Sequence, residues 1–169
     1  VYDKFHVIST YGKVIDKVRR QEFYQASKQD KEILKGTKYL LLKNQENLKK
    51  DEPQRLKQLL HINHNLHITY MLKEQLQALW HSGTIAEMET ALTQWCSLAN
   101  ESKIKPLKNF ANTLETHRTG ILNYCLYPIN TAKIEATNNT IGLIRRKAYG
   151  FHNIHYFILK IFQASGRDF

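Results

Sequence analysis

A mainly α protein with at most one or two short strands is what the sequence predicts, and three observations predict it. Apolar residues recur every three or four positions through most of the chain, the period of a helix buried along one face. Pro, Gly and hydroxyl or amide side chains fall between the periodic stretches, where helices start and stop. Apolar residues make up 42% of the 169 positions, enough for a core and too many for a disordered chain.

Taken in order, Val7, Tyr11, Val14, Ile15 and Val18 predict one amphipathic helix from about Ser9 to Ala26, with Lys13, Lys17, Arg19 and Arg20 on its other sides. Gly36 breaks the next stretch. Tyr39 to Leu42 reads equally as a short strand or a buried helical turn. Asp51-Glu52-Pro53 is a helix start, because Pro fits the first turn and acids suit its positive end. That helix should run to about Leu60. Another should span about Leu66 to Trp80, with Met71, Leu72, Leu76, Leu79 and Trp80 inside, and end at Ser82-Gly83.

Thr84-Ile85-Ala86-Glu87 matches a capping box. The helix it opens carries Ile85, Met88, Leu92, Trp95, Cys96 and Ala99 on one face, and Asn100 to Lys103 forms a turn. Pro106 should then begin a long helix, with Leu107, Phe110, Leu114, Ile121, Leu122 and Cys125 inward, that Pro128 stops. Asn130 to Lys133 reads as a polar loop. A helix from about Ile134 to Tyr149 follows, closed by Gly150. Asn153 caps a last helix with Ile154, Phe157, Ile158, Ile161 and Phe162 as its buried stripe. Six or seven helices are expected in all.

Composition excludes several classes. No apolar stretch approaches the roughly 20 residues of a membrane helix. Cys96 and Cys125 are far apart and unpaired in spacing, which excludes a disulfide framework or a zinc knuckle and makes both core residues of a reducing compartment. The chain opens at Val1, and its first residues look like the inside of a fold, so a piece of a longer protein is expected. Twenty-five Lys and Arg against 15 Asp and Glu give a net charge of +10. That excess points to an anionic partner, most commonly nucleic acid.

Three groups of residues are candidates for chemistry. Asp3 and His6, three positions apart, could converge on one site, or be a solvated acid and a satisfied imidazole. Glu135 opens a helix on which Asn138 and Asn139 sit one turn later and Arg145-Arg146-Lys147 follow. A carboxylate at one end and cations at the other suit a site where the acid holds Mg²⁺ and the cations track a DNA backbone. The same charges also complement the helix dipole. His61, His64 and His67 lack an acidic second shell and read as surface histidines rather than a zinc site. Tyr149 and Phe151 flank Gly150 and are read as packing residues, with stacking on a base as the alternative.

Three segments taken together carry a family resemblance. They are Tyr2-Asp3-Lys4-Phe5-His6-Val7 leading into Val14-Ile15-Asp16-Lys17-Val18-Arg19-Arg20, then Leu34 to Asn44, then Ile134-Glu135-Ala136-Thr137-Asn138-Asn139 with Arg145-Arg146-Lys147-Ala148-Tyr149-Gly150-Phe151. In order and over essentially the whole chain, they resemble the DDE-type transposases of bacterial insertion sequences, in the ISL-three group. The last segment is the most specific.

That resemblance implies a ribonuclease-H-like domain that cuts and rejoins DNA. Two aspartates and a glutamate hold two Mg²⁺ ions there; one metal activates water or a 3′-hydroxyl and the other stabilises the leaving oxygen. It places the family's glutamate on Glu135, as catalytic acid and metal ligand. It makes Asp3 and His6 an accessory pair, or Asp3 the second acid. Lys133, Asn138, Asn139, Arg145, Arg146 and Lys147 are then the DNA contacts. Residues 1–8 would be a strand edge of the ribonuclease-H-like core, 9–130 a helical insertion, and 131–169 the C-terminal helices. Gly142 stands where the family often has Lys.

The implied partners are DNA, as element ends and target, and further copies of the full-length protein, with no membrane, in a bacterial cytoplasm near the nucleoid. Mg²⁺ or Mn²⁺ belongs to the full-length protein. At least one catalytic aspartate and the DNA-end-binding region are absent, so no tight metal binding and no transposition are expected of these residues alone. The alternative is a catalytically dead remnant that serves as a basic helical module for binding DNA or protein.

Overall fold

The computed structural model describes residues 3–127, 132–150 and 153–164; the side chains of 132–135 lie outside that description. Ten α-helices and no strand occur among the described residues. The helices are α1 (Lys4–Gln25), α2 (Lys28–Leu34), α3 (Lys38–Leu42), α4 (Glu52–Ile62), α5 (His64–Ala78), α6 (Ile85–Glu101), α7 (Lys105–Thr116), α8 (Arg118–Leu126), α9 (Ala132–Lys147) and α10 (Ile154–Ala164). The chain divides into two compact units, Val1–Ile129 and Asn130–Phe169. The mainly α class is therefore as expected, with more and shorter helices than the sequence suggested.

In the first unit α1 is the shared element, packing on α2, α3, α5 and α7. It begins five residues earlier than expected. Asp3 is its N-cap, and the Asp3 side chain accepts from the His6 N–H, satisfying one of the orphan donors of the first turn. Residues 4–8 are thus helix and not a strand edge. The predicted stripe is inside: Val7, Tyr11, Ile15 and Val18 are buried, and Val14 packs half-buried on the same core.

The core centres on three rings. Tyr11 of α1 meets Trp95 of α6 at 5.6 Å and Phe110 of α7 at 5.1 Å, and Trp95 meets Phe110 at 5.6 Å. Both polar handles are satisfied on α5: Tyr11 Oη donates to the Thr69 carbonyl and Trp95 Nε1 to the Leu72 carbonyl, each at 2.8 Å. Buried aromatics with hydrogen-bonded tips keep their apolar contribution without an unpaired donor. Cys96 is buried and Cys125 half-buried, both free thiols. Burial pushes the Cys96 thiol up to about 12.

Tyr39 to Leu42 settles as the helical turn α3. Its backbone groups have no partner strand and close onto themselves, as in Leu41 N–H to the Thr37 carbonyl at 3.0 Å. The carbonyls at its C-terminal end are capped from α5 by Lys73, whose Nζ donates to Leu41 and Lys43. Lys73 is itself buried, over the Tyr70 ring at 4.1 Å and paired with Glu74 at 3.0 Å. Burial pulls its pKa down, against the opposing pull of Glu74.

The long helix expected from Pro106 to Pro128 is instead two, α7 and α8, parted at His117 (φ −102°, ψ 12°). Thr113 and Thr116 donate their hydroxyls back to the carbonyls of Asn109 and Asn112, a pattern that bends helices. Other limits differ by a turn. The helix from Leu66 starts at His64 and yields to a 3₁₀ turn at Leu79–His81, and α6 runs on to Glu101. The capping box forms with both bonds present. In this first unit two residues assigned inward are exposed, Met71 and Ile85.

In the second unit α9 and α10 pack on each other. Helix α9 ends in a Schellman motif: Gly150 N–H reaches the Arg145 carbonyl and Tyr149 N–H the Arg146 carbonyl. The left-handed position ahead of Gly150 is held by Tyr149 (φ 52°), fully exposed and not packed as expected. Phe151 lies outside the described residues. On α10 Phe157, Ile161 and Phe162 are half-buried, whereas Ile154 and Ile158 are exposed.

Tyr11→Phe is expected to cost about 1 kcal/mol through the lost bond to Thr69, and Trp95→Ala about 3–5 kcal/mol. Urea unfolding checks both; the midpoint should fall while the slope stays unchanged.

Candidate nucleic-acid interface

Helix α9 presents most of the residues expected to meet DNA. Glu135 lies in its first turn, and Arg145, Arg146 and Lys147 make up its last. At 100° per residue, positions 135, 139, 142 and 146 share one face, and 138 and 145 lie beside it. Asn138, Asn139, Arg145, Arg146 and Lys147 are all exposed. The 16-residue helix spans about 24 Å from end to end at 1.5 Å per residue. Space around Gly142 is open, with no atom within 4 Å of an added β-carbon. The side chains of Glu135 and Lys133 lie outside the described residues.

Asp3 and His6 do come together, at the opposite end of the chain sequence. Asp3 is buried, and its Oδ1 accepts from both the His6 backbone N–H (2.9 Å) and His6 Nδ1 (2.8 Å). One helix turn accounts for the pairing: a capping carboxylate meets the side chain three residues on. Among the described residues no group of three or more His, Cys, Asp or Glu side chains could hold a metal ion. His61 lies in the last turn of α4, while His64 and His67 lie on α5 beyond the break at Asn63, all three exposed.

The sequence set Lys13, Lys17, Arg19 and Arg20 on the sides of α1 away from its apolar stripe. In the fold Lys13, Lys17 and Arg20 line a groove between α1 and α3. Lys13, Lys17 and Arg20 face it from α1 and Lys38 from α3, with Asp16 among them as the single acid of the lining. Asp16 is buried and acts as a hub, accepting from Arg19 (2.8 Å) and Arg20 (2.7 Å), with Lys38 at 3.8 Å. Burial alone pushes the Asp16 carboxyl up, but hydrogen bonds from Arg19 and Arg20 outweigh it and hold the group below its ordinary 3.8. Asp16-Lys17-Val18-Arg19-Arg20 carried part of the family resemblance, but its ion-pair hub was not read from the sequence. Its i, i+3 and i, i+4 spacings were the available signal.

A basic helical chain with an acid near one end of a helix and cations at the other is compatible with a class of DNA-handling proteins, the DDE-type transposases. The chain belongs to that class, in its ISL3 family, whose model, described as a transposase, matches residues 1–161. It is 41% identical over 165 residues to the transposase for insertion sequence element IS1001 of Bordetella parapertussis, covering 95% of this chain and 40% of that relative. It is 32% identical over 120 residues to the transposase for insertion sequence element IS1557 of Mycobacterium tuberculosis, covering 71% of this chain and 27% of that one. The chain therefore spans less than half the length of these relatives. No solved structure matches it. Among the described residues no helix is long and apolar enough to cross a membrane.

The lowered pKa of Asp16 fixes the sign of a pH effect. Its ion pairs stabilise the fold fully above the pKa of the unfolded chain and are lost as pH falls through the folded value. Wild type should lose stability progressively as pH falls below about 5 and through the lowered folded value, and Asp16→Asn should start less stable at neutral pH and lose less on acidification. Urea midpoints across the pH series check this.

Proposed function

We propose that this chain is a portion of an insertion-sequence transposase that cleaves DNA and transfers its strands, and that Glu135 is the last acid of the catalytic set. The observation that carries this reading is the family match over residues 1–161, which runs through the whole of α9. Supporting it, α9 offers an acid in its first turn and three exposed cations in its last. Those cations suit phosphate oxygens, which position a nucleic acid without reading its sequence.

Mg²⁺ or Mn²⁺ belongs to this proposal as the ion of the full-length protein, where it supplies charge stabilisation at the reacting phosphate. Glu135 would be one ligand. The described residues do not by themselves form the rest of the set, so the remaining carboxylates would come from the part of such a transposase that these 169 residues do not span. Asp3 and His6 would be an accessory pair, their mutual bonds fixing the imidazole. Association between copies is part of the same reading.

In the full-length protein Glu135→Gln is expected to abolish metal-dependent cleavage of element-end DNA while binding survives in a gel-shift assay. Cleavage at the wild-type rate would remove Glu135 from the set. Asp3→Asn retains a capping oxygen, so the urea midpoint should hold, whereas Asp3→Ala should lose about 1 kcal/mol. A fall in cleavage by Asp3→Asn supports the accessory role; undiminished cleavage leaves Asp3 a cap alone.

A further inference from the structure

We infer that the groove between α1 and α3 is a second nucleic-acid surface, which grips a phosphodiester backbone through Lys13, Lys17, Arg20 and Lys38 and shields it with Tyr24. The inference rests on the proposed DNA-handling role and adds a site remote in sequence from the cations of α9.

Spacing is the first argument. Lys13, Lys17, Arg20 and Tyr24 recur at i, i+4, i+7 and i+11, so they form a straight stripe along one side of α1. The stripe extends about 16 Å at 1.5 Å per residue. A linear row of cations matches a linear polyanion better than it matches a compact anion. The groove holds about 940 Å³ and lies along that row.

Charge is the second. Four cations line the groove against one carboxylate, and that carboxylate is already engaged by Arg19 and Arg20. Lys13 and Lys17 are exposed and form no ion pair among the described residues. Asp16 holds Arg20 and Lys38 toward each other from the two walls. Asp16 already lies between those two cations and offsets part of their charge, so Lys13 and Lys17 are the cations left to meet a further anion.

Shape is the third. Gly12 brings α1 close to α3: a β-carbon there would lie 3.3 Å from Leu42 Cδ2. Ile8 and Leu42 give the groove an apolar floor. Tyr24 is 78% exposed at one end of the stripe and Tyr39, beside Lys38, is 72% exposed. Aromatic rings next to a basic groove stack on sugars and bases of any sequence. An anionic membrane would also attract the lysines, but a flat headgroup surface does not enter a groove with cations on both walls.

The test measures binding of the full chain to a fluorescent DNA duplex, and to one of its single strands, across a salt series. The variants are Lys13→Gln/Lys17→Gln and, separately, Arg145→Gln/Arg146→Gln/Lys147→Gln. Both alter only exposed side chains, and circular dichroism and the urea midpoint confirm the fold. Each phosphate contact contributes about 0.9 to the slope of log affinity against log salt on duplex and about 0.7 on a single strand. The α1 double variant should therefore flatten the duplex slope by about 1.8, or the single-strand slope by about 1.4. Tyr24→Ala should weaken the single strand more than the duplex.

An α1 double variant with the wild-type slope on both ligands, while the α9 variant loses affinity, overturns the groove and leaves the DNA reading intact. Wild type that binds neither ligand overturns both. Wild type that binds phosphatidylserine vesicles through Lys13 and Lys17, and no DNA, overturns the groove as a nucleic-acid site.

Discussion

Tyr11, Trp95 and Phe110 form the contact on which the first unit depends. Each ring comes from a different helix, and the two polar tips reach the backbone of a fourth. A Tyr hydroxyl or an indole N–H sealed away from water without a partner costs about 1–3 kcal/mol. The carbonyls of Thr69 and Leu72 remove that cost and, in doing so, fix where α5 lies along α1 and α6. The stripe of Val7, Ile15 and Val18 then has one register in which to bury.

Polar joints repeat the same logic around that core. Glu22 on α1 accepts from Asn63 and Asn65 at 2.8 Å each, which pins the end of α1 to the break between α4 and α5. Asn63 also caps α5 through Leu66 N–H, so a single residue ends one helix, starts the next and ties both to a third. Lys73 closes the C-terminal end of α3 from α5. Lys43, leaving α3, meets Glu52 at the start of α4 at 2.6 Å. Short helices, marginal alone, are held by these joints as much as by apolar area.

The basic character of the chain is distributed by the fold in two ways. On α9 the cations follow one another in sequence and share the last turn, where they also complement the helix dipole. On α1 they are set a turn apart and face α3, so a second wall completes the arrangement. Asp16 is what converts a charged helix side into an organised groove. Its carboxylate is buried among three cations, a position that leaves Lys13 and Lys17 as its outward charges.

Much of this was legible in the sequence, because local rules govern it. The stripe of α1, the capping box of Thr84 and Glu87, the proline starts at Pro53 and Pro106 and the buried places of Trp95 and Cys96 follow from period and capping chemistry alone. So does the place of Glu135 at the opening of α9. What sequence periodicity missed depends on partners distant along the chain. Whether Tyr39–Leu42 coils or extends depends on whether a strand lies beside it; Lys73, 31 residues past Leu42, caps it as a turn instead. Met71 fits the apolar pattern yet is half exposed, lining an open pocket with Leu98 and Glu101 of α6 where the two helices do not close on each other. The sequence by itself determined a helical, basic chain of the transposase family with an acid-to-cation helix near its end. Only the tertiary structure decided that Asp16 would be buried among cations and that Lys38 would face Lys13 and Lys17, because a periodic pattern specifies which side of a helix is polar but not what stands opposite it.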